Sequence, residues 1–250
     1  MLLLNIVSKL EWELLINKKQ VLVFSTNKLF NYTLFKMKKA IVLGATGMVG
    51  TQLIQLLIEN NEYSEIVSLV RRDSGVRNPK LKEYIINFDE PEKWSKYITG
   101  DVLFSTLGTT IGQAKTKADQ YKVDFTYQFT IAQIAAQNGV SHYVLISSAG
   151  ANSKSKNFYL KMKGELEKSI QTLPFEIISI LRPGLLAGNR IQNRPTEKIS
   201  FIILNALNKL GLFKRYRPIQ ASLVAKAMIM ARKQIQSSSY TLEEVFKLIE

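Results

Sequence analysis

Tyr159 and Lys163 stand four residues apart in the segment Asn157-Phe158-Tyr159-Leu160-Lys161-Met162-Lys163, a spacing that puts both on one face of a helix. An ammonium beside a phenol favours the phenolate and draws its pKa down from about 10. A phenol tuned in this way gives or takes a proton at a carbonyl or alcohol, and the lysine can also hold a sugar hydroxyl. A second pair with this spacing, Tyr32 and Lys36, precedes the first buried strand. Tyr159 instead follows a strand that ends in Ile146-Ser147-Ser148-Ala149-Gly150. Successive strand residues face opposite sides, so one of the two serines faces the phenol. Ser148, at the very end, is the first choice to hold a substrate oxygen and Ser147 the second. Tyr159, Lys163 and Ser148 are therefore the candidate catalytic residues.

The other chemistry lies in a chain reversal, Gly44-Ala45-Thr46-Gly47-Met48-Val49-Gly50. It falls between an apolar run, Lys39–Leu43, and a stretch with apolar residues at helical spacing, Val49–Glu59. Small residues there let the backbone approach a pyrophosphate, and a helix N-terminus offers it free N–H groups and positive dipole. A glycine triplet alone is a weak signal, but one between a first strand and a first helix is much stronger. The next strand ends in Val70-Arg71-Arg72-Asp73. An acid at that place pairs with the ribose hydroxyls of NAD, whereas arginine pairs with the 2′-phosphate of NADP. The two arginines favour NADP, with NAD the weaker expectation because Asp73 comes last. Gly108, in Ser105-Thr106-Leu107-Gly108-Thr109-Thr110, lies where backbone passes close to such a ligand.

These residues need a scaffold of alternating strands and helices. Strands are expected at Lys39–Leu43, Glu65–Val70, Tyr84–Phe88, Asp101–Ser105, His142–Ser147 and Glu176–Leu181. Helices are expected at Val49–Glu59, 119–138 and 157–171. Near-continuous apolar strands separated by helices mean βαβ units and a parallel sheet buried on both faces. Right-handed crossovers make this an α/β, doubly wound, Rossmann-type arrangement. Helical patterns at Lys198–Leu210 and Ala221–Lys233, and a weaker one at the end, form a small C-terminal helical substrate region. Residues 1–36 have poor periodicity and are expected to be an extension outside the fold. Met37, followed by two lysines and a strand, looks like a start residue. Residues 37–250 are then one domain.

Composition narrows the chemistry further. The 250 residues contain no Cys and one His, which excludes thiolate metal sites, a Cys nucleophile and a disulfide scaffold. No metal site is expected, and His142, at the far end of its strand, is expected to be structural. The formal charge is +14, from 34 Lys+Arg against 20 Asp+Glu. The lysines are spread along the chain and no nucleic-acid-binding motif accompanies them. A solvated basic surface that attracts anionic small molecules is therefore expected, with no nucleic-acid partner. The apolar start is short and is followed by Glu11 and Glu13, and the run Ile199–Leu204 is too short to span a bilayer. The expectation is a cytoplasmic chain with a small-molecule substrate and no membrane partner.

Taken in order, Gly-Ala-Thr-Gly-Met-Val-Gly, Ser-Ser-Ala-Gly, Tyr159…Lys163 and Leu181-Arg182-Pro183-Gly184 resemble the short-chain dehydrogenase/reductase superfamily in its atypical branch. Within that branch, Leu107-Gly108-Thr109-Thr110, the segment 157–165, and Arg182-Pro183-Gly184 followed by Arg190 and Arg194 are similar to the Tat-interacting protein 30-like (CC3) group and its bacterial relatives. The resemblance implies an NADP(H) site. Gly44, Thr46, Gly47, Met48, Val49 and Gly50 would hold the pyrophosphate, and Arg71 and Arg72 the 2′-phosphate. Gly108 and Thr109 would line the cofactor, and Tyr159 and Lys163 would contact the nicotinamide ribose. Backbone near Leu186 would meet the carboxamide, and Arg194 would close over phosphates. The implied activity is hydride transfer to or from a small carbonyl or alcohol, with Tyr159 handling the proton. The alternative is a regulatory protein that binds NADP(H) without turnover.

Overall fold

The structure is a computed structural model, and it describes residues 20–25, 28–33, 37–187 and 218–250. The chain divides into two units, Met1–Met37 and Lys38–Glu250. In the first, β1 (Gln20–Ser25) and β2 (Lys28–Thr33) pair as an antiparallel hairpin.

The second unit is organised by a parallel sheet. β3 (Lys38–Leu43) carries an apolar run whose residues alternate between two cores. Ala40 and Val42 face one side, while Ile41 and Leu43 face the other. A strand with no polar face must be covered on both sides. On the first side lie α1 (Met48–Glu59) and α7 (Ala221–Arg232), which pack through Leu53, Leu57, Val224 and Met228. On the second side a helical run starts with α4 (Lys117–Tyr121), continues as a π-helical segment (Lys122–Tyr127) and ends as α5 (Gln128–Gln137). Beside it lies α6 (Phe158–Ile170), which contributes Leu166 and Ile170 to that core.

The sheet is completed by β4 (Tyr63–Val70), β5 (Leu81–Ile85), β6 (Val102–Ser105), β7 (His142–Ile146), β8 (Ile177–Arg182) and β11 (Ser238–Thr241). Its order is β11-β8-β7-β6-β3-β4-β5, with every neighbouring pair parallel. The chain runs outward from β3 through β4 to β5, then returns to build the other half from β6. The switch point thus falls between β3 and β6, where ligands bind in Rossmann-type sheets. Short pieces finish the description: α2 (Pro91–Trp94), α3 (Ile111–Ala114), α8 (Glu243–Lys247), and β9 (Leu186–Ala187) pairing parallel with β10 (Ile219–Gln220).

Two expectations are corrected. The third strand lies at Leu81–Ile85, not Tyr84–Phe88, because its register with β4 runs from Ile66↔Leu81 to Val70↔Ile85. The apolar end of the expected strand is burial in a loop: Phe88 packs beside Trp94, whose indole N–H donates to the Asn87 carbonyl at 2.7 Å. β11 was not foreseen, because Ser238-Ser239-Tyr240-Thr241 has no apolar run and pairs only at the sheet edge with β8. The expected helix at Lys198–Leu210 lies outside the described residues.

Met228 is fully buried between α7 and the sheet, while Ile235 is 92% exposed just beyond the helix. Met228→Ala is expected to lower unfolding free energy by about 2–4 kcal/mol, and Ile235→Ala to change it by less than about 0.5 kcal/mol. Urea unfolding of the two variants measures this difference.

Candidate active site

The first turn after β3 is set by two close backbone approaches and one to the Thr106 side chain. Gly44 has φ +85°, and a Cβ there would sit 2.6 Å from the Leu107 nitrogen. A Cβ on Gly50 would lie 2.1 Å from the Gly44 carbonyl oxygen and 2.8 Å from Thr106 Oγ1. Thr106 in turn donates its hydroxyl to the carbonyls of Leu43, at 2.8 Å, and Gly44, at 3.1 Å. The end of β3, the start of α1 and the end of β6 are therefore in backbone contact. The Gly47 N–H closes the turn onto the Gly44 carbonyl at 2.9 Å, and no side chain caps α1 at Gly47. The first-turn N–H groups have no acceptor within the helix and face outward with the positive end of its dipole.

A cavity of about 820 Å³ opens over this turn. Gly44, Thr46, Gly47 and Met48 line it from β3 and α1, Arg71 and Arg72 from the end of β4, and Gly108 and Thr109 from the end of β6. Val49 and Gly50 do not line it. Val49 is buried in the core, and Gly50 serves by letting α1 approach Gly44. Thr51, which the sequence reading passed over, does line it and donates its hydroxyl to the Gly47 carbonyl at 2.9 Å.

Charge is distributed unevenly around the cavity. Arg71 and Arg72 are exposed on its rim and form no ion pair among the described residues. Asp73 is engaged elsewhere: Arg77 grips it with two bonds, of 2.9 and 2.6 Å, and the Gly75 N–H donates to it at 2.7 Å. The Arg77 bond, then the Gly75 amide, hold its carboxyl far below the usual carboxylate range. Burial slightly opposes this.

Tyr159 and Lys163 share a face of α6, with the Lys163 ammonium 6.0 Å from the centre of the Tyr159 ring. Asn157 fixes the start of this helix, its side chain accepting from the Leu160 N–H at 3.1 Å. The Tyr159 residue is 37% exposed, whereas Lys163 is 4% exposed. The ammonium is not free, because Asp124 on the π-helical segment binds it at 2.9 Å. Burial opposes the charge on Lys163, but Asp124, Tyr159 and Glu167 outweigh it and raise the lysine above its ordinary value. Neither residue lines the cavity, but Lys163 stands behind one of its walls: a Cβ on Gly108 would lie 3.2 Å from Asp124 and 3.8 Å from Lys163 Nζ.

Lower on α6, Glu167 receives the guanidinium of Arg182 through Nε at 3.0 and 3.2 Å and through Nη2. The Arg-Pro-Gly turn thus ties the end of β8 to the helix that carries Tyr159. Of the two serines, Ser148 donates to the Ala149 carbonyl at 3.4 Å, whereas the Ser147 hydroxyl is buried without a hydrogen-bond partner among the described residues. Neither lines the cavity, and nor does Leu186, which pairs with Ile219. Arg194 lies outside the described residues.

Residues 44–206 match the family model described as NAD(P)H-binding. The chain belongs to this NAD(P)H-binding family. Its relatives include the mitochondrial protein fmp52 of Emericella nidulans, 36% identical over 70% of this chain and 78% of the relative. The mitochondrial FMP52 of Saccharomyces cerevisiae is 37% identical over 62% of this chain and 68% of the relative. The fold recurs in the Bordetella bronchiseptica enzyme WbmH in complex with NAD+, at TM-score 0.64 and 15% identity over 82% of this chain and 75% of that one. It recurs also in a short-chain dehydrogenase/reductase superfamily protein from Agrobacterium tumefaciens with bound NAD. There the TM-score is 0.60 and the identity 14%, over 81% of this chain and 77% of that one. The sheet is thus a nucleotide-binding, Rossmann-type domain with structural neighbours in the dehydrogenase/reductase and epimerase superfamily.

The cytoplasmic expectation is overturned by the relatives, which are named mitochondrial. That expectation rested on finding no spanning or secretory segment, and proteins inside an organelle lack those segments as well.

Gly50→Ala is expected to destabilise the chain by at least about 2 kcal/mol, because the backbone carbonyl of Gly44 that it meets cannot yield. Gly139→Ala meets open space and has only its positive φ to bear, which costs about 1–2 kcal/mol. Denaturation of both, with nucleotide titration of the folded fractions, checks the order. Only Gly50→Ala is expected to weaken nucleotide binding.

Proposed function

We propose that this chain is an NADP(H)-dependent oxidoreductase acting on a small carbonyl or alcohol, with Tyr159 as the proton donor or acceptor. The observation that carries this reading is a single cavity that joins the glycine turn, two arginines with no ion pair among the described residues and the Gly108–Thr109 loop, with the Tyr159–Lys163 helix directly behind that loop.

The residues fit a dinucleotide phosphate. Gly44, Thr46, Gly47 and Met48 leave room for a pyrophosphate against the uncapped start of α1, where N–H groups and dipole both favour an anion. Arg71 and Arg72 would take the 2′-phosphate, since guanidinium forks match phosphate oxygens. The engagement of Asp73 by Arg77 supports NADP over NAD, because the acid that would otherwise receive ribose hydroxyls is already occupied. Bound there, the nicotinamide supplies or accepts hydride. Tyr159 moves the balancing proton at the substrate oxygen, Lys163 contacts the ribose and holds positive charge near the phenol, and Ser148 or Ser147 positions that oxygen. The relatives' mitochondrial names support the same compartment for this chain, with a small-molecule substrate as its partner.

A second reading, an NADP(H)-binding regulator without turnover, is favoured by one observation. Asp124 pairs with the Lys163 ammonium, so the phenol does not face an isolated positive charge.

The test is titration with NADPH and NADH, followed by a panel of aldehydes, ketones and quinones. The oxidoreductase reading expects NADPH to be consumed. Tyr159→Phe should lower kcat by about 100-fold or more and change NADPH affinity by less than about threefold. The Arg71→Ala/Arg72→Ala variant should weaken NADPH by about 10- to 100-fold and leave NADH unchanged. Tight NADPH binding with no consumption across the panel favours the regulator. Equal affinity for both nucleotides in all forms overturns the cofactor assignment.

A further inference from the structure

Between the end of β4 and β5 the chain makes a turn, Arg71-Arg72-Asp73-Ser74-Gly75-Val76-Arg77-Asn78, with Asp73 as its one acid. The turn is fixed from two sides. Val76 packs against the first core, and Glu83 on β5 accepts the Ser74 N–H at 2.8 Å. Within the turn, Asp73 Oδ1 accepts the Gly75 N–H at 2.7 Å and Arg77 Nη1 at 2.9 Å, while Oδ2 accepts Arg77 Nη2 at 2.6 Å. Arg77 Nη1 also donates to the Val76 carbonyl at 3.2 Å, and the charge of Glu83 reaches the same guanidinium. Arg71 and Arg72 line the cavity, whereas Asp73, Arg77 and Glu83 do not.

Stability does not account for the Asp73–Arg77 pair. The two side chains are 50% and 72% exposed, and ion pairs open to solvent add little to folding. What the pair changes is the capacity of the carboxylate to accept. A carboxylate offers about four acceptor positions. Here both oxygens are engaged, by the forked guanidinium and by a backbone amide of the same turn.

We infer that Arg77 is a specificity-determining residue: by holding Asp73 it withholds from a bound ribose the one carboxylate of the rim turn. Arg71 and Arg72 then meet a 2′-phosphate with no acid competing for them, and a nucleotide lacking that phosphate finds no free acceptor for its hydroxyls. The inference rests on the proposed function for the nucleotide and deepens it. Preference for NADPH is set in part by an arginine that stands off the cavity.

The experiment titrates the full-length parent and three variants with NADPH and with NADH. A turn that merely loosens only loses affinity, whereas release of an acid adds it, so a gain for NADH is the decisive readout. Arg77→Ala is expected to tighten NADH about three- to fivefold, the factor by which an exposed pair masks its carboxylate. It is also expected to weaken NADPH about threefold, because a freed carboxylate repels the 2′-phosphate. Arg77→Lys keeps a cation for Asp73 and is expected to stay within about twofold of the parent for both nucleotides. Asp73→Asn combined with Arg77→Ala removes the released charge and is expected to abolish the NADH gain. Where the parent prefers NADPH, parent-like or weaker NADH affinity in Arg77→Ala overturns the inference and leaves the proposed function standing. So does an NADH gain that persists in the double variant. A parent that binds neither nucleotide, or shows no preference for NADPH, defeats the cofactor assignment of the proposed function and this inference with it.

Discussion

The site depends on the contact of three backbone segments with no room for a side chain between them. The Gly44 carbonyl, the Cα of Gly50 and the Thr106–Leu107 backbone meet at distances that a single Cβ would violate. This contact brings the start of α1 against the ends of β3 and β6, across the point where the sheet reverses its order of growth. The uncapped helix start and the cavity above it follow from that arrangement. The glycines of the turn accordingly divide into two roles. Gly44 and Gly50 allow the packing, while the Gly47 backbone faces the space where an anion fits.

Around this contact the fold uses charge to hold the remaining parts in register. Arg182 at the end of β8 grips Glu167 on α6, and Asp124 grips Lys163 one turn earlier on that helix. The helix that carries Tyr159 is thus fixed to the end of β8 from one direction and to the cavity loop from the other. Arg71 and Arg72 differ in kind, because they remain exposed and unpaired among the described residues while the neighbouring Asp73 is taken by Arg77. Cations without carboxylate partners beside an uncapped helix start form a field suited to a phosphorylated ligand.

Much of this was legible in the residues. The apolar run at Lys39–Leu43 announced a strand covered on both faces, and the glycine spacing after it announced the turn. The Tyr159–Lys163 spacing placed both on one helical face, as observed. What escaped did so for physical reasons. The strand at Leu81–Ile85 is fixed by pairing with β4, and its neighbour Phe88 is apolar because it packs against Trp94, so hydrophobicity misplaced it. β11 is polar and held by backbone bonds at an edge, where side-chain pattern carries no signal. Asp124 meets Lys163 only through tertiary packing. Its sign in the sequence was three polar residues, Gln120, Asp124 and Gln128, on the buried side of a long helical stretch. The cellular compartment was misjudged because it is specified by targeting, which the physics of the fold does not determine.

The central claim is that the turn after β3 is a cradle for the diphosphate of a dinucleotide. Hydrogen–deuterium exchange of the full-length protein, with and without saturating NADP+, tests it most directly. The account predicts slowed exchange of the backbone amides in peptides spanning Gly44–Thr51 and Thr106–Thr109, with the edge strand Ser238–Thr241 unaffected. Saturable binding that leaves the amides of both loop segments exchanging at their free rates would contradict it.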